Sequence, residues 1–207
     1  MLEFEPINHV YTLDGIQIPS VSEVLRFASK ELYGGTSAQA MEIAADRGTR
    51  VHAATEALDR NGTADIDPDI EPYVRAYAKF LRDNKIDWIY TEAPIYGMTR
   101  DYAGTIDRFG FLNGETVLLD IKTTKTITAR HKKLYAAQLT AYSHGCVEKD
   151  KYILNNEYVP IQKLVILQLK NNEGYEMHIV DPEEEIWQGC LALHKAFTPR
   201  KRGKRNG

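Results

Sequence analysis

Short apolar runs and turn residues alternate at the start of the chain. The runs at residues 10–13 and 16–18 flank Asp14-Gly15, which predicts a small β-hairpin. Ser20 and Glu23 then have the spacing of a helix capping box, ahead of an apolar run. The pattern predicts a hairpin followed directly by a helix.

Helical periodicity continues to about residue 84. A long helix is predicted over residues 37–60, ended by Asn61-Gly62. A further helix is predicted to start at Asp67-Pro68, because proline favours the first turn, and to continue to residue 84.

From residue 88 the apolar positions follow the two-residue period of β-strands. The predicted strands cover residues 88–96, 102–112, 115–121, 159–169 and 175–180. A helix is predicted over 132–146, and a last helix from Asp181-Pro182 to Phe197. This order predicts an α/β fold in which helices flank a small central mixed β-sheet.

Composition is that of a globular protein, with 43% hydrophobic and 27% charged residues in a chain of 207. We expect one domain over residues 1–198. No apolar run approaches the roughly 20 residues of a membrane span, and no signal peptide is visible. We therefore expect a cytoplasmic protein with no membrane partner. Cys146 and Cys190 are too few for a disulfide framework or a four-thiolate iron–sulfur cluster.

Basic residues are concentrated in two segments, although the formal net charge is -3. The segment 122–133 has no acid, and neither does the end of the chain, whose basic residues are Arg200, Lys201, Arg202, Lys204 and Arg205. Such segments are typical of phosphate contacts. We predict a basic, flexible tail over 199–207, and a solvated end without a ligand is the alternative.

The hairpin around Asn113-Gly114 carries the candidate chemistry. A two-residue type I′ turn there pairs Leu112 with Glu115, and the same register sets Asp107 opposite Asp120. Lys122 lies two residues beyond Asp120 and so points to the same face.

Opposed carboxylates repel unless a cation neutralises them, and a pair of hard oxygen donors suits Mg²⁺ or Mn²⁺. The alternative is an exposed face on which Asp107 and Asp120 pair with Arg108 or with lysines. The apolar neighbours of Asp120 favour the metal site.

Several motifs then point to a known family. Gly104-x-x-Asp107 followed by Asp120-Ile121-Lys122 resembles the signature of the PD-(D/E)XK nuclease superfamily. GTRVH at 48–52 with Glu56 is similar to the GTxxH motif of RecB-type nucleases, and QLTAY at 138–142 resembles their QxxxY motif. IPSVSEVL at 18–25 looks like the entry of phage-encoded and mitochondrial single-strand exonucleases of this branch.

The resemblance implies a restriction-endonuclease-like core in the order α-βββ-α-β, with one or two Mg²⁺ or Mn²⁺ ions and no iron–sulfur cluster. The metal ligands it implies are His52, Asp107, Asp120 and the carbonyl of Ile121. Lys122 would orient or activate the attacking water and stabilise charge on the phosphate. Glu56 would bind a second metal, position a water or form a salt bridge. A structural role is the alternative for His52.

DNA contacts are predicted around this centre. The resemblance implies them for Gln138 and Tyr142, with core packing as the alternative. Others are predicted for residues on the same helix face or in the basic segment: Tyr135, Thr123, Lys125 and Arg130. Glu92, on the strand next to that of Asp107, is assigned by default to the surface, with an extra acid of the site as the alternative. The remaining histidines, His9 among them, show no metal spacing.

We therefore expect a metal-dependent DNA exonuclease, phage-encoded and acting from the host cytoplasm in replication, recombination or end processing. The expected partners are DNA with a free end and, as separate proteins, a helicase, a polymerase or an annealing protein. The alternatives are a structure-selective endonuclease of the same superfamily and a catalytically idle nucleic-acid-binding module.

Overall fold

The structure is a computed structural model that describes residues 1–6, 9–147, 152–153 and 160–198, with the backbone alone for 152–153. Three short strands form an antiparallel sheet in the order β1-β2-β3: β1 (Leu2–Glu5), β2 (Val10–Leu13) and β3 (Ile16–Ile18). Four helices follow: α1 (Val21–Val24), α2 (Arg26–Tyr33), α3 (Ala38–Asn61) and α4 (Glu71–Asp83).

The second half of the chain contributes the large sheet. Its elements are β4 (Ile86–Gly97), β5 (Ala103–Leu112), β6 (Glu115–Lys122), α5 (Ala129–Ser143), β7 (Gly145–Val147), β8 (Tyr152–Ile153), β9 (Lys163–Leu169), β10 (Tyr175–Val180) and α6 (Glu184–Phe197). The seven strands lie in the order β10-β9-β6-β5-β4-β7-β8, with β6 and β9 parallel and the other pairs antiparallel. The predicted α/β class with a mixed sheet and flanking helices is confirmed.

Local signals define several helix ends as predicted. The Ser20 hydroxyl accepts from the Glu23 N–H at 3.1 Å and the Glu23 carboxylate accepts from the Ser20 N–H at 2.7 Å, which completes the capping box. Ser37 caps α3, and Gly62 ends it with a left-handed φ of 71°.

Other boundaries differ from the prediction. Helix α4 starts at Glu71, later than the predicted Asp67-Pro68, and Pro72 lies in its first turn. Helix α5 starts three residues before 132, because Thr128 caps it, and ends at Ser143. The last predicted residues of that helix instead form β7, which pairs with β4.

Both sheets have strands that were not predicted. The short strand β1 extends the small sheet, and the short strands β7 and β8 extend the large sheet. Residue 159, the predicted start of β9, and the tail 199–207 lie outside the described residues.

Apolar side chains cover both faces of the large sheet. Leu118 belongs to the core under α1, α5 and α6, whereas its neighbours Val117 and Leu119 belong to the core under α3 and α4. Because helices cover both faces of the sheet, successive residues of β6 are apolar and the strand has no polar face. Among the described residues, no helix is long and apolar enough to cross a membrane.

The predicted turn at Asn113-Gly114 is confirmed, with positive φ angles of 54° and 87°. The β5–β6 pairing runs from Leu112–Glu115 to Arg108–Leu119 and stops there. Beyond that point β5 continues to pair with β4, and β6 with β9. The two strands therefore separate at Asp107 and Asp120, and we call this position the strand fork.

Candidate metal centre

A cleft of about 550 Å³ opens at the strand fork. It is lined by residues from the predicted motifs: His52 and Glu56 of α3, Asp107 of β5, Asp120 and Lys122 of β6, and Gln138 and Tyr142 of α5. Segments that are distant in sequence thus meet in one cavity, because the fork lies between α3 on one side and α5 on the other.

Asp107 closes the gap that the separating strands leave. Its Oδ2 accepts a hydrogen bond from the Ile121 N–H at 2.5 Å. The side chain takes the place of a backbone partner, so Asp107 and Asp120 are not the regular cross-strand pair that the register predicted. Burial raises the pKa of Asp107 to about 7; His52 opposes this shift, and the charge of Asp120 adds to it.

The imidazole of His52 bridges the two strands from α3. Its Nε2 lies 3.2 Å from the carbonyl oxygen of Ile121, and its Nδ1 lies 3.5 Å from Oδ1 of Asp107. Burial disfavours the charged ring, but the carboxylates of Asp107 and Glu92 outweigh burial and raise the pKa of His52 to about 9. Without a metal, His52 is therefore a cation that donates from both nitrogens.

Glu92 lies in this cluster, so its default assignment to the surface was wrong. Its carboxylate accepts from Nδ1 of His52 at 3.2 Å, and only 19% of its side chain is exposed. Ligand atoms of His52, Glu92 and Asp107 all lie within 4.8 Å of one another. Burial raises the pKa of Glu92, but its contacts with His52 and Arg108 outweigh burial and lower it.

The register of β4 explains why the sequence pattern placed Glu92 at the surface. A bulge between Trp88 and Tyr90 shifts the pairing with β5, and Glu92 adopts a left-handed φ of 45°. The simple two-residue alternation therefore assigns the wrong face to this part of the strand. A left-handed backbone at a non-glycine residue is typical of functional sites.

Arg108 is fully buried behind the cluster, which rules out the alternative of an exposed face on which it pairs with the two aspartates in solvent. Its guanidinium donates to Asp59 at 2.6 Å, to Glu92 at 3.0 Å and to the carbonyl of Asp107 at 2.7 Å. A further bond reaches Thr55 of α3 at 3.0 Å. Arg108 thus ties α3, β4 and β5 together immediately beneath the candidate ligands.

Lys122 forms an ion pair with Asp120. Its Nζ lies 2.9 Å and 2.7 Å from the two carboxylate oxygens of Asp120. Burial lowers the pKa of Lys122, but the charges of Asp120 and Asp107 outweigh it and raise the pKa. His52 and Lys122 thus lie against Asp107 and Asp120 and partly offset their charge.

Gln138 and Tyr142 support Lys122 from α5. Oε1 of Gln138 accepts from the Lys122 ammonium at 3.2 Å, and Nε2 of Gln138 donates to the Tyr142 hydroxyl at 2.9 Å. The Tyr142 ring lies against Gly104, where an added Cβ would be 2.6 Å from the ring. The glycine of one motif thus makes room for the tyrosine of another.

The other predicted site residues lie at different depths. Tyr135 is buried, with its hydroxyl 2.7 Å from that of Tyr33 and its ring 4.9 Å from the Lys122 nitrogen. Thr123 is also buried, and both therefore offer little surface to DNA. Lys125 is exposed between β6 and α5, and Arg130 is exposed in the first turn of α5. Glu56 lines the cleft and pairs with Arg60 at 2.7 Å.

No model of a known protein family matches this chain. No curated protein sequence matches it either.

The donor atoms of the cleft could hold a divalent cation. They are the imidazole of His52, the carboxylates of Asp107 and Glu92 and the carbonyl of Ile121, with Asp120 nearby. Carboxylate and carbonyl oxygens are typical ligands of Mg²⁺ and Mn²⁺.

Proposed function

We propose that the protein is a Mg²⁺- or Mn²⁺-dependent DNA exonuclease of the PD-(D/E)XK superfamily, RecB-type branch, with a restriction-endonuclease-like core. One observation carries the proposal: His52, Asp107 and the Ile121 carbonyl meet beside the Asp120–Lys122 ion pair in a single cleft. A purely structural cluster has no need of so many charged groups at an open cavity.

His52, Asp107, Asp120 and the Ile121 carbonyl would hold the cation, and Glu92 is a further candidate ligand. A bound cation would stabilise charge on the phosphoryl group and make a water more acidic. For His52 to act as a ligand, it must first give up its proton. Glu92 can then turn its carboxylate to the cation or keep its bond to Arg108.

Lys122 would act as a cation. Because its pKa is raised, its ammonium is suited to stabilise the phosphate and to orient the attacking water, and not to accept a proton. Gln138 holds the ammonium in place, and Tyr142 holds Gln138. The motif on α5 would thus serve the reaction by fixing the position of Lys122.

Exonuclease activity on DNA ends is proposed from the GTRVH and QLTAY motifs, with a helicase, polymerase or annealing protein as separate partners. The test uses linear DNA labelled at the 5′ or 3′ end and covalently closed circles of the same sequence. An exonuclease degrades the linear DNA progressively and leaves the circles intact. Rapid cutting of the circles would instead identify a structure-selective endonuclease.

A second candidate is a catalytically idle nucleic-acid-binding module. It is favoured by one observation, namely that His52 and Lys122 form ion pairs with Asp107 and Asp120, as charged groups of a structural cluster do. Tight DNA binding without cleavage of any substrate, in either Mg²⁺ or Mn²⁺, would support the idle module over the nuclease.

A further inference from the structure

Three aromatic side chains of the small N-terminal sheet form a cluster beside the same cleft. Phe4 of β1 pairs directly with Tyr11 of β2, and their rings stack with centroids 4.6 Å apart. The imidazole of His9 meets both rings edge-on, at 5.2 Å from Phe4 and 5.4 Å from Tyr11. All three residues line the cleft together with Asp107 and Lys122.

The cluster is anchored on its inner side and open on its outer side. Tyr11 is 1% exposed, and its hydroxyl lies 2.8 Å from the Thr105 hydroxyl. Phe4 is only half-buried and His9 is exposed. The buried tyrosine therefore supports two rings that still have surface available for a ligand.

The anchor also ties the cluster to the strand that carries the candidate metal centre. Thr105, which Tyr11 contacts, precedes Asp107 by two residues on β5, so both side chains point to the same face. Because the three rings and Asp107 line one cleft, a strand whose phosphate lies at Asp107 would pass the aromatic cluster with its neighbouring base.

The rings of the small sheet favour a base over a phosphate as the ligand. His9 has a left-handed φ of 54°, an uncommon conformation that sets its ring against Phe4. Aromatic faces stack on any unpaired base, and such stacking is independent of sequence.

We propose that Phe4 and His9 form a stacking site for an unpaired nucleobase next to the phosphate that is cut. This inference rests on the proposed nuclease function and adds a base-binding subsite to it. In a base-paired duplex the faces of the bases are covered by their neighbours, so the cluster would have nothing to stack on.

The test measures binding of a labelled single strand by fluorescence anisotropy, with Ca²⁺ as the cation, for the full chain and its variants. A second strand of equal length carries abasic sites near its end. We expect Phe4→Ala to weaken binding of the normal strand about tenfold and to leave binding of the abasic strand nearly unchanged. Phe4→Trp should restore binding of the normal strand. Phe111→Ala, which removes an exposed ring at the far end of β5, is the matched control and should change neither.

If Phe4→Ala weakens binding of both strands equally, Phe4 only supports the fold and the inference is overturned. The inference is also overturned if Phe4→Ala weakens binding of neither strand. Cleavage of both strands by the wild-type protein in Mg²⁺ is measured in parallel. If the wild-type protein cleaves DNA but Phe4→Ala changes binding of the two strands equally, only the stacking site is contradicted. A wild-type protein that neither binds nor cleaves either strand defeats the proposed function and the inference with it.

Discussion

The Nε2 atom of His52 lies 3.2 Å from the carbonyl oxygen of Ile121. Neighbouring ligands of an octahedral Mg²⁺ or Mn²⁺ ion are about 3 Å apart, given metal–oxygen distances near 2.1 Å. In the metal-free protein a proton on His52 joins these two atoms. Exchange of that proton for a cation is the event on which the proposed activity depends.

His52→Ala tests this relationship. Loss of groups that merely orient metal ligands costs about 10- to 100-fold in metal affinity or activity, so loss of a ligand should cost at least about 100-fold. Mn²⁺ affinity measured by calorimetry and cleavage rate should fall together. His194→Ala on α6, outside the cleft, is the control and should change neither. A His52→Ala protein that keeps its activity and only melts earlier would assign His52 a structural role.

The pH dependence of metal binding follows from the same proton. The pKa of His52 is raised to about 9 and that of Asp107 to about 7, so a cation must displace protons from both groups below about pH 7 and from His52 alone between about pH 7 and pH 9. Mn²⁺ affinity should therefore rise with pH up to about pH 9, by at most about tenfold per unit for each proton released. Calorimetry in buffers of different ionisation enthalpy measures the released protons directly. Affinity that is flat between about pH 6 and pH 9 would contradict the assignment.

Lys122→Met separates the cation role of Lys122 from metal binding. Removal of a group that stabilises charge in the transition state costs about 100- to 1000-fold in turnover. Because Lys122 competes with a metal for Asp120, Mn²⁺ should bind the variant at least as tightly as it binds the wild-type protein. A large loss of Mn²⁺ affinity in this variant would show that the ammonium organises the ligands instead.

A pair of glycine substitutions tests the contact between two motifs. In Gly104→Ala the new Cβ would lie 2.6 Å from the Tyr142 ring, so we expect a loss of about 1–3 kcal/mol in unfolding free energy and reduced turnover. Gly48→Ala on α3 meets nothing within 4 Å and should be neutral or stabilise by up to about 1 kcal/mol. Chemical denaturation measures both, and equal stability of the two variants would contradict the packing described.

Arg108→Met should be the most destabilising of these substitutions. It leaves the buried Asp59 without its cation, and removal of one partner from a buried ion pair typically costs about 3–5 kcal/mol. Asp59→Asn in the same background should recover part of the loss in unfolding free energy, because it removes the unpaired charge. No recovery in the double variant would show that Arg108 stabilises the fold through packing alone.

Much of the fold is encoded locally, which is why the sequence predicts it. Asn113-Gly114 specifies its turn through two left-handed residues, and Ser20 and Ser37 mark helix starts through hydrogen bonds within one turn. Strands β1 and β8 pair with their chain neighbours β2 and β7, but they have only four and two residues, too few for a two-residue period to be recognised. Strand β7 pairs with β4, a partner far along the chain, so no local pattern predicts it. Helix α5 ends early for the same reason, since pairing with β4 draws Gly145–Val147 into the sheet.

The residues of the candidate site also fall into two groups, those that local patterns predict and those that depend on tertiary structure. Spacing alone identified Asp107, Asp120 and Lys122, and motif resemblance added His52 and Gln138. The buried contacts of Glu92 and Arg108 were not predicted, because these contacts depend on tertiary structure. The bulge near Tyr90 decides which way Glu92 faces, and the burial of Arg108 by α3 and α4 decides that it meets Asp59 and not water. The two-residue alternation of the sequence indicates neither the bulge in β4 nor the burial of Arg108.

The most direct test of the central claim is the time course of an end-labelled single strand with the wild-type protein and with Asp120→Asn. In Mg²⁺ or Mn²⁺ the wild-type protein should shorten the strand to small products, and excess EDTA should stop it. Asp120→Asn should be inactive under all conditions while retaining a folded circular-dichroism spectrum. Cleavage by the wild-type protein in EDTA, or full activity of Asp120→Asn, would contradict a metal-dependent nuclease centred on Asp107, Asp120 and Lys122.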